Sequence, residues 1–347
     1  MLNKDYCMSS YLAMKYICGD QYDFVKGKHH RNYVHPKSEE RIRANTAIEI
    51  DKSITEQIQQ FQNKKGAVFL SGGMDSAIVA SYFPGADAYT FRYVGIDYPE
   101  DELNRAKAFS DYYSLKLHYV DISLDSMLLY LDQLMLAKAS PVYYIEPQLH
   151  QAALQARNDG AEIVMVGEGS DLVYGGLGGF LSKEWTMEEF KKVYISTKPQ
   201  DVLRVPVSMD PIFEKYRING DKIDYLGFIK DVFTVEAYTG YNNAFLVAGI
   251  PYFDPFERLM LEKPLNLTRI RNGEPKYLIR ELFKMKYPDL PLPEKIRLPN
   301  PLDEFLKDWK GPTRQEFLLP LDVASFKGKN KWQLLCLERY LNLIEGD

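Results

Sequence analysis

The sequence has 347 residues, enough for a sizeable core and for either two domains or one large one. Apolar residues make up 46% of it and charged residues 26%, with a net charge of -5, which excludes a disordered chain and gives no reason to expect nucleic acid as a partner. No apolar run approaches the ~20 residues that span a bilayer, and the first residues lack a signal-peptide layout. The three cysteines form no close pair, so we expect a reduced, cytoplasmic protein with no membrane partner.

In chain order, the first 60 residues are expected to be mostly helical and irregular. Four apolar strands are then predicted at 67–71, 87–93, 115–122 and 162–166. Helices are predicted between and after them at 75–82, 100–113, 124–137 and 148–157. This alternation predicts an α/β fold with a doubly wound, mainly parallel sheet covered on both faces.

Beyond residue 179 the strand signals fade, and helices are predicted at 228–245, 276–284 and 331–344. A helix-rich C-terminal half is therefore expected to follow the sheet. The predicted domains are an N-terminal helical segment at 1–60, an α/β core at 61–182 and a helical C-terminal part at 183–347.

The first predicted strand runs into the loop SGGMDS, residues 71–76. Gly72 and Gly73 let backbone amides approach an anion with no Cβ in the way, and the helix that follows adds positive potential. The hydroxyls of Ser71 and Ser76 can donate to phosphate oxygens. Asp75 would repel phosphate, so its presence indicates a Mg²⁺ ion between them.

The fourth predicted strand runs into a second loop of similar chemistry, GEGSD at 167–171, which carries Glu168 and Asp171. Ligands of doubly wound sheets bind at the carboxyl ends of strands. If the two loops face each other, Asp75 and Asp171 can share Mg²⁺ on a triphosphate. The strand ends carry neither a dinucleotide fingerprint nor a Walker loop.

Together these stretches resemble a known family. SGG-x-DS is similar to the pyrophosphate loop of N-type ATP pyrophosphatases, and GEGSD followed by GG resembles the synthetase domain of the asparagine synthetase superfamily. AFLVAGIPYFDPF (244–256), NGEPKYLIREL (272–282) and LPLPEKI after it also resemble segments of that domain, one of which packs under the active site. The resemblance covers about residues 50–307 and implies an adenine nucleotide α-hydrolase-like (PP-loop) fold.

The resemblance also implies a role for each matching residue. Glu168 would help to form and use an acyl-adenylate, and Lys276 would reach the phosphates. Asp75 and Asp171 would bind Mg²⁺. The remaining implied ATP-binding residues are Leu70, Ser71, Gly72, Gly73, Ser76, Tyr93, Val166 and Gly167.

The activity that the resemblance implies is an ATP-dependent, AMP-forming amide ligase with ATP and Mg²⁺ as cofactors. A small-molecule or peptide carboxylate would be adenylated and passed to ammonia or an amine. β-Lactam-forming members carry tyrosine where this sequence has Glu168, which favours chemistry of the asparagine synthetase type. The sequence shows no N-terminal glutaminase domain, so nitrogen is expected as free ammonia, as an amine substrate or from a separate glutaminase.

Two departures from the family leave alternatives open. The family lysine after LP-x-x-I has no counterpart, and Lys295 or Arg297 are the candidates to replace it. Leu172 stands where the family has glutamate. These changes allow a catalytically impaired, nucleotide-binding homologue that acts as a partner or scaffold. A PP-loop tRNA-modifying enzyme is the other alternative, disfavoured by the acidic charge balance and the scattered cysteines.

Overall fold

The computed structural model describes residues 1–294 and 300–346. Five parallel strands form the main sheet, in the order β4-β3-β2-β5-β6, and β1 and β7 form a separate parallel pair. The strands are β1 Ile42–Arg43, β2 Gly66–Phe69, β3 Asp87–Tyr93, β4 Lys116–Ile122, β5 Ile163–Met165, β6 Tyr252–Phe253 and β7 Leu259–Met260. The helices are α1 Lys4–Met14, α2 Ala47–Ile58, α3 Met74–Ala80, α4 Asp101–Tyr112, α5 Leu124–Leu129, α6 Leu131–Lys138, α7 Ile145–Asn158, α8 Gly169–Tyr174, α9 Gly178–Leu181, α10 Met187–Tyr194, α11 Asp210–Glu214, α12 Tyr225–Phe228, α13 Thr234–Ala248, α14 Leu267–Arg271, α15 Tyr277–Lys286, α16 Pro301–Phe305 and α17 Gly328–Glu345. Among these described helices, none has the length and apolar character needed to cross a membrane.

The central strands β2 and β5 are apolar because both faces of the sheet are buried there. On β2, Ala67 belongs to the apolar cluster that includes Trp332 of α17, whereas Val68 belongs to the opposite cluster with Ile78 of α3 and Phe283 of α15. Successive side chains of a strand point to opposite faces, so a doubly covered strand needs apolar residues at every position. The α/β class and the four predicted strands are confirmed.

The order of the strands reverses between β2 and β5. The chain passes from β2 to β3 and β4 on one side, then crosses to β5 on the other side of β2. A reversal of this kind opens a crevice at the carboxyl ends of the two strands, where ligands bind in such sheets. It places the loop after β2 beside the loop after β5.

The fifth strand of the sheet was not predicted. Tyr252 and Phe253 pair with Val164 and Met165 of β5, although they lie far along the helix-rich half. A two-residue strand after Pro251 is too short to show an alternating pattern, and only its partner defines it. The predicted helix 228–245 begins as α12 and a π-helical segment, Ile229–Phe233, before α13. The predicted domain boundaries stay a prediction.

Candidate functional site

A cavity of about 300 Å³ opens between the carboxyl ends of β2, β3 and β5. Most of the residues singled out in the sequence line it: Leu70, Ser71, Gly72, Asp75, Ser76, Tyr93, Val166, Gly167, Glu168 and Asp171. Gly73 caps the N-terminus of α3, and its N–H donates to the Ser71 hydroxyl at 3.2 Å. Two stretches separated by about 90 residues of sequence therefore build one site.

The loop after β2 is held by its own serines. The backbone N–H of Ser71 donates to Ser76 Oγ at 3.0 Å, and the two hydroxyl oxygens are also 3.0 Å apart. Helix α4 packs tightly on this loop. A Cβ added at Gly72 would lie only 2.8 Å from the carbonyl oxygen of Glu102. Glycine at this position therefore lets the loop and α4 lie in contact while both serines line the cavity.

The loop after β5 touches the first loop directly. A Cβ at Gly167 would lie 3.0 Å from the carbonyl carbon and oxygen of Asp75, so a side chain there would force the two backbones slightly apart. The hydroxyl of Ser170 donates to Asp75 Oδ1 at 2.5 Å. The two loops face each other across the switch point, which is the condition under which Asp75 and Asp171 could share a cation.

Lys276 joins both loops from a third part of the chain. Its Nζ lies 2.5 Å from Asp75 Oδ2 and forms an ion pair with Asp171 as well. Burial would lower the pKa of Lys276, but the two carboxylates outweigh it and hold this pKa above its usual value. Lys276 also has φ +53°, a left-handed conformation that costs a non-glycine residue about 1–2 kcal/mol. The ammonium is therefore held, fully charged, between the two carboxylates.

The pair Asp75 and Asp171 fits a magnesium ion bound together with a nucleotide. Because both carboxylates contact the same ammonium group, they lie close enough to share one cation. Mg²⁺ is usually held by one or two carboxylates, with phosphate oxygens and waters completing its shell. Within residues 1–294 and 300–346, no cluster of three or more His, Cys, Asp or Glu forms a metal site made of protein alone.

Glu168 also lines the cavity. Its Oε2 accepts a hydrogen bond of 3.0 Å from the Tyr241 hydroxyl of α13. Burial, together with the charge of Asp171, raises the pKa of Glu168 to about 7, against the opposing effects of Tyr241 and Lys276. A carboxyl with this pKa exchanges a proton readily near neutral pH.

Asp254 holds the loop that carries Glu168 by hydrogen bonds, and it was not identified individually in the sequence. Its fully buried carboxylate accepts hydrogen bonds from the Gly169 N–H at 2.7 Å, the Tyr238 hydroxyl at 2.8 Å and the Phe256 N–H at 2.9 Å. Burial raises the pKa of Asp254 to about 7 despite these bonds. The signal available in the sequence was the segment 244–256, which the family resemblance placed under the site.

The tyrosines of α13 were missed, although Tyr238 and Tyr241 are three residues apart and so share one helix face.

Lys295 and Arg297, the candidates for the missing family lysine, lie outside the described residues. Leu172 lines a second cavity.

Together, the parallel sheet and the paired loops at its switch point define an α/β protein with a candidate site at the carboxyl ends of its strands. Residues 49–218 match the family model for asparagine synthase, so about half of the chain is a domain of that family. This match confirms the resemblance predicted from the sequence and supports an ATP-using enzyme. No curated protein matches the sequence.

Two solved structures are among those to which the chain is similar. One is the U34-tRNA thiolase NcsA from Methanococcus maripaludis with its [4Fe-4S] cluster, at 13% identity and a TM-score of 0.28, covering 72% of this chain and 82% of that one. The other is NMN synthetase from Francisella tularensis, at 12% identity and a TM-score of 0.30, covering 73% of this chain and 100% of that one. At these scores neither likeness bears on the chemistry of the site.

Proposed function

We propose that the chain is an AMP-forming amide ligase, which adenylates a carboxylate with ATP and transfers the acyl group to ammonia or an amine. The observation that carries the proposal is the convergence of SGGMDS, Glu168-Asp171 and Lys276 on one cavity at the switch point of the sheet. The loops supply hydroxyl and amide donors for phosphates. Leu70, Tyr93 and Val166 supply apolar surface for the adenosine.

In the first half-reaction, a carboxylate oxygen of the acid attacks the α-phosphorus of ATP and the bond to the bridging oxygen of the β-phosphate breaks. Pyrophosphate leaves with that electron pair. Lys276 carries a full positive charge at the site and would move from the carboxylates to the phosphates. Mg²⁺, held by Asp75 and Asp171, would supply further charge neutralisation to the phosphates.

In the second half-reaction, the amine nitrogen attacks the acyl carbon and AMP leaves. The nitrogen must lose a proton, and we assign that role to Glu168, which lines the cavity. Its pKa of about 7 lets it accept that proton at neutral pH. Tyr241 fixes the orientation of the carboxylate by its hydrogen bond.

The proposal is tested by acid-dependent exchange of labelled pyrophosphate into ATP, which detects adenylation before any amine is added. A panel of carboxylic acids is screened in this exchange, and hydroxylamine is then added to trap the acyl group as a hydroxamate. We expect exchange with at least one acid and AMP as the nucleotide product. Formation of ADP and phosphate would contradict the proposal, and tight ATP binding without exchange would favour the catalytically impaired alternative.

A further inference from the structure

A second cavity of about 530 Å³ adjoins the nucleotide cavity. Asp171 lines both cavities, and Gly169, next to Glu168 in the chain, lines the second one. The loop after β5 therefore separates two spaces, and a ligand in the second cavity lies against the loop that carries Glu168.

The walls of the second cavity are largely apolar. They include Leu172, Val173, Leu177, Leu226, Ile229 and Leu261. Its volume falls in the range of ~300–1,000 Å³ found for small-molecule sites. One wall is formed by the π-helical segment Ile229–Phe233, and single π-helical turns inside helices occur frequently at functional sites.

The acidic side chains of the second cavity already have partners. Asp171 pairs with Lys276, Glu257 accepts a 2.5 Å hydrogen bond from the Tyr33 hydroxyl, and Glu262 pairs with Arg43 at 3.0 Å. None of these carboxylates pairs with a cation that lines the cavity.

Arg41, Lys230 and Lys263 are the cationic side chains that line this cavity; the two lysines are exposed, whereas Arg41 is partly buried. Within the described ranges its guanidinium makes no hydrogen bond or ion pair, and its Nε is shielded from solvent without an acceptor. Its charge reaches His35, whose pKa is lowered by burial and by the charge of Arg41. A desolvated guanidinium nitrogen without an acceptor is unfavourable, and a bound anionic ligand would supply the missing acceptor.

We propose that the second cavity binds the acid substrate and that this acid is a diacid: an apolar body with a second carboxylate, which pairs with Arg41. This inference rests on the proposed function. The guanidinium fork of arginine matches a carboxylate with two parallel hydrogen bonds, and the leucine-rich walls match an aliphatic or aromatic body.

The carboxylate that pairs with Arg41 is not the one that reacts. The reacting carboxylate must reach the α-phosphate in the nucleotide cavity, and Arg41 does not line that cavity. Asp171 lines both cavities, so in this inference the reacting end of the acid lies beside Asp171 in the nucleotide cavity while Arg41 holds the other carboxylate.

The test compares suberate, an eight-carbon diacid, with octanoate, which has the same chain and one carboxylate. Calorimetric titration gives the Kd of each acid for the whole chain and for Arg41→Gln, Arg41→Lys and Arg258→Gln. Arg258 is the matched control, since it is an exposed arginine next to Leu259 that does not line the cavity. The pyrophosphate exchange is measured with the same acids and variants.

We expect suberate to bind about ten-fold more tightly than octanoate, the equivalent of ~1.4 kcal/mol. Arg41→Gln should remove this preference, Arg41→Lys should keep part of it, and Arg258→Gln should keep all of it. Equal binding of the two acids, a preference that survives Arg41→Gln, or no binding of suberate overturns the inference.

The exchange assay separates this inference from the proposed function. If acids support exchange independently of Arg41, the diacid assignment fails and the ligase proposal stands. If suberate binds through Arg41 and no acid in the panel supports exchange, the ligase proposal fails and the cavity remains a diacid site.

Discussion

Three charged residues from distant parts of the chain meet at the centre of the site. Asp75 follows β2, Asp171 follows β5, and Lys276 precedes α15. Two carboxylates and one ammonium leave a single net negative charge, which repels a triphosphate but attracts a divalent cation. The arrangement therefore favours a nucleotide that arrives with its metal over one that arrives alone.

Replacing either carboxylate should remove the metal ligand without unfolding the chain. We expect Asp75→Asn and Asp171→Asn each to lower AMP formation by about 100-fold or more, because each removes a charge and a hard oxygen ligand. Asp125→Asn is the control. The exposed Asp125 occupies the first turn of α5, as Asp75 and Asp171 occupy the first turns of α3 and α8. Turnover by either site variant at the wild-type rate would show that the metal assignment is wrong.

The raised pKa of Glu168 predicts a pH dependence of activity. Amide formation by the wild type should rise as pH increases through about 7 and level off above it, because only the ionised carboxylate accepts the proton. Glu168→Gln should impair amide formation and lose this pH dependence. The measurement is the rate of hydroxamate formation from pH 5.5 to 8.5, with the exposed Glu56→Gln as the control.

The same pKa predicts how Glu168 affects stability. Its pKa in the folded chain, about 7, exceeds its ordinary value of 4.5, so between these pH values the folded state holds more protons than the unfolded state. The free energy of unfolding therefore falls as pH rises through this window. Glu168→Gln should be more stable than the wild type at pH 8 by about 2 kcal/mol, and this advantage should shrink towards pH 5. An advantage that is constant between pH 5 and pH 8 would contradict the shift.

At the scale of single elements, the sequence predicts the parts that are defined by their own pattern. The central strands β2 and β5 are apolar at consecutive positions because both faces are covered, and the loops after them carry recognisable small and acidic residues. Asp254 and Tyr241 act only through contacts made after folding, with Gly169 and Glu168. No local pattern in the sequence predicts such contacts.

A glycine between α8 and α9 provides a test of how tightly these elements pack. A Cβ at Gly176 would collide with Asp171 and Lys276, so Gly176→Ala should separate the ion pair without removing any functional group. Gly179→Ala is the matched control, because a Cβ there has no heavy atom within 4 Å. We expect Gly176→Ala to lower pyrophosphate exchange at least about ten-fold and Gly179→Ala to leave it unchanged. Equal rates for both variants would mean that the ion pair tolerates displacement.

At the scale of the whole molecule, the two ends of the described chain pack on each other. The side-chain amide of Gln333 in α17 donates to the backbone oxygens of Tyr11 and Leu12 in α1, at 3.1 and 3.0 Å. Cys7 and Cys336 belong to the same apolar cluster as Trp332. Contacts between segments more than 300 residues apart carry no periodic signal, which is why the sequence predicted both helical regions but not their association.

The burial of the cysteines leads to a prediction about the nitrogen source. Cys7, Cys18 and Cys336 are at most 6% exposed, and burial raises the pKa of Cys7 and of Cys18 to about 12 and that of Cys336 well above its usual value. A thiol attacks an amide only as its thiolate, and these thiols stay protonated at neutral pH. The purified chain should therefore not hydrolyse glutamine, and ammonia should serve as the nitrogen donor.

This prediction is checked by incubating the chain with ATP, Mg²⁺, an acid that supports exchange and glutamine labelled with ¹⁵N at the amide nitrogen. We expect no glutamate above a control without protein, and amide product only after ammonium is added. A thiol reagent provides the matching physical readout, because it should label the native chain slowly and all three cysteines after denaturation. Release of labelled ammonia by the purified chain would contradict the prediction, and rapid labelling of a cysteine in the native chain would identify the thiol responsible.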